Sequence, residues 1–156
     1  MQKAYEGLGN YASVLEGGVH PKHRLMNYHQ FFVDNIEHDD VVLDLGCGNG
    51  LVTLDVSEKA KEVVGVDLNE DNIKAAKDNL QKRQSGNVKF ILADALKKRF
   101  DMKFDKIILS NILEHIENRM EFLTQLRELS SVILLRVPML DRDWVTLYKK
   151  ELGPGV

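Results

Sequence analysis

Cysteine is nearly absent from this chain. Its 156 residues include one, Cys47, so no internal disulfide can form and a reducing compartment is expected. Long apolar runs are missing too. None approaches the roughly 20 residues that a membrane-spanning helix needs. The opening Met1-Gln2-Lys3-Ala4-Tyr5-Glu6 lacks the apolar stretch of a secretory leader, and a cytoplasmic setting is the expectation. Positive charge is not in excess. The 21 Lys and Arg against 24 Asp and Glu leave a net charge of -3, which argues against a nucleic-acid partner. Internal repeats and low-complexity tracts are also lacking. What is present, 44% hydrophobic and 29% charged residues, is enough for the core of one globular domain.

Residues 1–20 carry Gly7, Gly9, Gly17 and Gly18 with weak patterning and read as a flexible N-terminal arm. Residues 21–156 read as the domain proper. Pro21 can open a helix, because its missing N–H costs nothing there. From His23 to Ile36 the apolar Leu25, Tyr28, Phe32 and Ile36 fall at helical spacing. From residue 41 short apolar runs alternate with helical stretches. Strands are expected at Val41–Leu45, Val63–Val66, Val88–Leu92, Lys106–Leu109 and Val132–Val137. Helices are expected from Leu51 to Ala60, from an Asn69 cap to about Arg83, and from Asn118 to Leu129. The runs show little strict alternation, as strands buried on both faces do. The expected fold is therefore α/β: a doubly wound, Rossmann-like parallel sheet with helices on both faces.

In such a sheet, ligands bind beyond the carboxyl ends of the strands. Gly46-Cys47-Gly48-Asn49-Gly50 follows the first strand, Asp67-Leu68-Asn69 the second and Ala93-Asp94-Ala95 the third. Ser110-Asn111 follows the fourth and Pro138-Met139-Leu140 the fifth. The glycines let a ligand approach the backbone, and the next helix offers free N–H groups. Asp67 stands where a carboxylate can accept from both hydroxyls of a ribose, and Leu68 can pack on an adenine face. A lone G-x-G-x-G is weak, and Asp67 alone could be a helix cap. Their joint placement, with Asp44 inside the first strand, is much more specific.

Val42-Leu43-Asp44-Leu45-Gly46-Cys47-Gly48-Asn49-Gly50 resembles the first motif of class I S-adenosylmethionine-dependent methyltransferases. Val64-Gly65-Val66-Asp67 resembles their ribose-binding motif, and Phe90-Ile91-Leu92-Ala93-Asp94-Ala95 their adenine-binding motif. Phe104-Asp105-Lys106-Ile107-Ile108-Leu109-Ser110-Asn111 resembles the fourth. The likeness runs from about residue 20 to 148. It implies that the backbone of Gly46 and Gly48, flanking Cys47 in the loop, lies against the methionine part of S-adenosylmethionine. Asp67 would hold the ribose, Asp94 would accept from the adenine amino group, and the Ala95 N–H would donate to the ring. Asn111 would line the wall near the sulfonium. Asp44 would organise the glycine loop and favour the cofactor's positive charges. A nicotinamide site, the competitor within the fold, prefers G-x-G-x-x-G and explains neither Asp44 nor Asp94.

The expected activity is methyl transfer by in-line displacement, with the protein supplying orientation and a desolvated site. His115, directly after the fourth strand, is the candidate general base. E-x-x-E-H, a metal-binding pattern in some related enzymes, has Asn111 in place of its first glutamate here, so no metal is expected. His20, His23 and His29 cluster around Lys22 and Arg24 without acidic ligands. This segment, with Tyr5 and Tyr11, is expected to fold over the pocket. Arg142, Trp144 and Tyr148 are candidates for touching the acceptor. No Pro-Pro-aromatic signature, nucleophilic cysteine or glutamate pair follows the fourth strand. A small-molecule acceptor remains by elimination. The alternative is a non-catalytic S-adenosylmethionine-binding module. The family continues past the fifth strand with a helix and a strand pair. The chain is expected to be C-terminally truncated, lacking that pair. The fifth strand would then form an apolar edge open to the arm or to a partner such as a homodimer.

Overall fold

The computed structural model describes residues 27–138 and Glu151. They fall into two units. In the smaller, to which residues 27–31 and Pro138 belong, the rings of Tyr28 and His29 meet edge to face with centroids 4.5 Å apart. The larger unit, Phe32–Val137, carries the fold.

Helix α1 (Tyr28–Asp34) is followed by β1 (Val41–Leu45), α2 (Leu51–Ser57), β2 (Glu62–Asp67), α3 (Glu70–Arg83) and β3 (Val88–Leu92). Then come β4 (Lys106–Ser110), a short 3-10 turn (Leu113–His115), α4 (Arg119–Arg127) and β5 (Val132–Arg136). The five strands are all parallel, in the order β3-β2-β1-β4-β5. The Rossmann-like sheet expected from the sequence is therefore the one observed.

Register explains the two faces. Leu43 lies opposite Val64 and Ile107, and Leu45 opposite Val66 and Leu109. Side chains of one parity share a face, so these six form one core with Phe122 and Leu126 of α4. On the other face Asp44 lies opposite Gly65, and Gly65 opposite Phe90. There a second cluster forms from Cys47, Leu54 of α2, Ile73 and Ala76 of α3, and Phe90. Helices thus cover both faces.

Helix ends depart from the periodic reading for a local reason. The run to Ala60 stops being α-helical at Ser57, whose hydroxyl donates to Leu54 O at 2.7 Å. Glu58 and Lys59 then bond three residues back, to Asp55 O and Val56 O, which tightens the last turn. The same i to i−3 bonds, from Glu128 and Leu129, close α4 at Arg127 rather than Leu129. In α1, Phe32 is fully buried, as is Ile36 just past its end. Lys59 Nζ and Lys106 Nζ donate to Val33 O and Asn35 O at and just past the helix end. Lys106 also pairs with Asp40 at 2.8 Å.

Among the described residues β5 ends the sheet, with Val132, Leu135 and Val137 exposed. The arm (1–20) and the segments bearing Tyr5, Tyr11, His20, Lys22, His23, Arg24, Arg142, Trp144 and Tyr148 lie outside the described residues, as does the stretch on which the missing strand pair bears. The helix expected from His23 is not continuous through Asn27, whose backbone is left-handed (φ 42°), and α1 begins at Tyr28.

Candidate cofactor site

The loop after β1 is clamped to β2. Gly46 N and Cys47 N both donate to Val66 O, at 2.7 and 3.0 Å. Gly48 N donates to Asp67 Oδ2 at 2.8 Å. From the far side, Asn79 Nδ2 of α3 donates to Asn49 O at 3.0 Å. The turn requires left-handed backbone at Gly46 (φ 70°) and Gly48 (φ 57°), which glycine adopts without a steric penalty. A Cβ on Gly46 would collide with the Ile112 side chain. At Gly48 no atom of the described residues lies within 4 Å of where a Cβ would stand. The loop therefore packs against the protein at Gly46 and presents bare backbone outward at Gly48.

Cys47 contributes its backbone. Its side chain is buried in the second core cluster. Burial pushes the thiol up, and the Asp44 and Asp67 charges push it further, so it stays protonated. The ring of Phe90 supports this side of the loop. A Cβ on Gly65 would come within 2.7 Å of that ring, and one on Gly50 within 2.5 Å. Gly65 is in mid-strand, and its lack of a side chain makes a seat for Phe90.

Asp67 is held at three points. Oδ2 accepts from Gly48 N, and Oδ1 accepts from Asn69 N at 2.8 Å and Asn72 Nδ2 at 3.1 Å. Asn69 caps α3 by accepting from Asp71 N and Asn72 N. Leu68 beside it is 72% exposed, an apolar surface with no core to join. After β3, Ala93 N donates to Asp67 O, tying the second and third strand ends together. Asp94 turns the chain by accepting from Leu96 N at 3.0 Å, and it pairs with Lys97 at 3.3 Å. The Ala95 N–H has no backbone partner among the described residues. After β4, Asn111 adopts φ 58° and donates its N–H to Arg136 O, while its Oδ1 accepts from Arg136 Nη1 at 2.7 Å.

Asp44 sits beneath the rim, 1% exposed, and its Oδ2 accepts from Thr53 Oγ1 of α2 at 2.6 Å. Its side-chain hydrogen bond thus ties β1 to α2 beneath the glycine loop. Burial pushes its carboxyl up to about 7, the Thr53 hydroxyl opposes this, and the Asp67 charge adds to it. The folded state thus holds a proton that the unfolded chain releases near its ordinary 3.8. Between those two values the folded state binds more protons, so stability falls as pH rises and levels off above about 7. The free protein should lose on the order of a few kcal/mol between pH 4 and 8 through this group. Asp44→Asn should flatten that slope. Urea midpoints for both proteins across this range check it, and equal slopes would refute it.

His115 lies in the 3-10 turn with its side chain 75% exposed, its Nε2 4.0 Å from Glu114 Oε1. Glu114 Oε2 is buried and is the one such side-chain atom without a hydrogen-bond partner among the described residues. No group of three or more His, Cys, Asp or Glu suited to a metal occurs among the described residues, which include His29 but not His20 or His23.

The structure thus gathers Gly46, Cys47, Gly48, Asp67, Leu68, Asp94, Ala95 and Asn111 at the carboxyl ends of neighbouring strands, with Asp44 below and His115 to one side. The sequence does not single out Thr53, Asn72 or Ile112, and it marks Phe90 and Arg136 only as members of a motif or strand. Asn72, five positions after Asp67 in the first turn of a capped helix, carried a usable signal. The others depend on contacts between distant elements.

Comparison with known proteins agrees with this geometry. Residues 36–135 match the family model described as a methyltransferase domain. A probable cobalt-precorrin-6B C(15)-methyltransferase (decarboxylating) of Methanococcus maripaludis is 32% identical over 124 residues, 78% of this chain and 66% of that protein. An (S)-coclaurine N-methyltransferase of Thalictrum flavum subsp. glaucum is 33% identical over 89 residues, 56% of this chain and 25% of that protein. The crystal structure of a coclaurine N-methyltransferase bound to N-methylheliamine and S-adenosylhomocysteine superposes with a TM-score of 0.63 at 25% identity. That match covers 68% of this chain and 33% of the other. This chain spans half to about two thirds of the precorrin methyltransferases it matches.

Proposed function

This chain belongs to the class I S-adenosylmethionine-dependent methyltransferases, and we propose that it transfers a methyl group from that cofactor to a small-molecule acceptor. The observation that carries this reading is the meeting of the glycine loop, Asp67, Asp94 and Asn111 along one rim of a parallel sheet.

The residues fit an adenosyl sulfonium. Among the described residues, nothing crowds the backbone of Gly48. Asp67 retains an unused lone pair of the roughly four on a carboxylate. The Ala95 N–H is available to a ring nitrogen, and Asp94 to an exocyclic amine. Leu68 offers an apolar face. S-adenosylmethionine, when bound, supplies an electrophilic methyl group on sulfur. Gly46 and Gly48 hold its methionine part, Asp67 its ribose, and Asp94 and Ala95 its adenine. Asn111, fixed by Arg136, lines the wall beside the sulfonium. Asp44, below the loop, favours positive charge above it when ionised. His115 takes a proton from acceptors that must lose one, with Glu114 Oε1 4.0 Å from its Nε2. The small-molecule acceptor is supported by the similarity to the precorrin and coclaurine methyltransferases.

Titration calorimetry with S-adenosylmethionine and S-adenosylhomocysteine tests the cofactor half. Release of S-adenosylhomocysteine across a panel of amine, hydroxyl and carbon acceptors tests the catalytic half. Binding without turnover of any acceptor would favour the non-catalytic module. With a turned-over acceptor, His115→Ala should lower kcat about a hundredfold and leave cofactor affinity unchanged. A full rate in that variant would remove His115 from the mechanism.

A further inference from the structure

We infer that Arg136 is a positioning residue: it holds the amide oxygen of Asn111 toward β5, away from the glycine loop, and so tempers the preference of the site for the charged cofactor over its neutral product. This rests on the cofactor site proposed above. Strand order gives Asn111 two sides. It follows β4, which has β1 and the glycine loop on one side and β5 on the other. Arg136, the last residue of β5, clasps it twice. Its carbonyl accepts from Asn111 N at 2.9 Å, and its Nη1 donates to Asn111 Oδ1 at 2.7 Å. A guanidinium only donates, so chemistry fixes which end of the amide meets it. The oxygen is therefore drawn to the β5 side.

The two halves of the clasp separate cleanly. The Asn111 backbone, left-handed at φ 58°, is tied to the Arg136 carbonyl, and that bond survives any change of the Arg136 side chain. Only the rotation of the amide depends on the guanidinium. Both side chains are half-buried. The next residue, Ile112, packs against Gly46, which keeps this turn beside the glycine loop. Electrostatics supply the consequence. S-adenosylmethionine carries a positive sulfur, and S-adenosylhomocysteine a neutral one. The oxygen end of an amide dipole attracts the first far more than the second. Once released from Arg136, the amide can turn its oxygen toward the sulfonium, and only the charged ligand gains.

The test is titration calorimetry on the full chain with both ligands, and melting curves check the fold of each variant. Arg136→Met should raise the ratio of S-adenosylmethionine to S-adenosylhomocysteine affinity about three- to tenfold. Arg136→Lys retains a donor for Asn111 Oδ1 and should keep the wild-type ratio. In an Asn111→Ala background the effect of Arg136→Met on the ratio should disappear. An unchanged ratio in Arg136→Met, including an equal loss on both ligands, would mean that the clasp only supports the fold. A shift that persists without the Asn111 amide would mean that the arginine acts through its own charge. Either result overturns the inference. Failure of the wild-type chain to bind either ligand would instead remove the cofactor site itself, and the role of Arg136 with it.

Discussion

Asp67→Ala should weaken S-adenosylhomocysteine binding about a hundredfold or more. Hydrogen bonds to an ionised group contribute about 1.5–3 kcal/mol each, and about 1.4 kcal/mol is a factor of ten. The substitution removes more than a ribose contact. Oδ2 also accepts from Gly48 N, so the glycine loop loses its tie to the end of β2. The first turn of α3 loses its tie as well, since Oδ1 accepts from Asn69 N and Asn72 Nδ2. Asp67→Asn retains an acceptor oxygen but loses the charge and one oxygen, and an intermediate affinity is expected. Calorimetry on the three proteins decides the matter. An alanine variant within twofold of wild type would end the ribose assignment.

The second large effect lies away from the rim. Phe90→Ala should destabilise the fold by about 3–5 kcal/mol, the usual cost of emptying a buried aromatic site. Native domains are stable by about 5–15 kcal/mol, so much of the margin would go. The ring is buried against Gly65, Gly50, Cys47 and Ala76. Its loss removes the floor beneath one side of the glycine loop, so cofactor affinity should fall along with the urea midpoint. Gly65→Ala is also expected to destabilise, because its Cβ would sit 2.7 Å from the ring. In the Phe90→Ala background that clash is gone, and the double variant should be more stable than the sum of the two losses implies. Additive losses would show that Gly65 is not the seat of the ring.

The site was legible to different depths. The glycine loop, Asp67, Asp94 and Asn111 are legible as candidates because the chain places each directly after an apolar run, at the carboxyl end of a parallel strand. Asp44 was found by position, but its partner was not. Thr53 sits on the α2 face turned to the sheet, and nothing in the spacing of Leu51-Val52-Thr53-Leu54 says which strand residue it will meet. Arg136 was read only as part of a strand. Its bond to Asn111 arises because β4 and β5 are neighbours in register, with Ser110 opposite Arg136. Helix ends at Ser57 and Arg127 escaped the periodic reading because a three-residue-back hydrogen bond, unlike an apolar stripe, leaves no mark in composition.

By itself the order of residues determined the alternation of strands and helices, the family, and which loops follow the carboxyl ends of the strands. These follow from periodicity and from chemistry local to each turn. Tertiary structure alone decided which groups hold which. Asp67 is clamped by a glycine 19 residues earlier, Asn111 by an arginine 25 residues later, and the Asp44 carboxyl is pushed up to about 7 because the fold buries it. Hydrogen-bond partners and desolvation are properties of neighbours in space, and strand pairing brings those neighbours from distant parts of the chain.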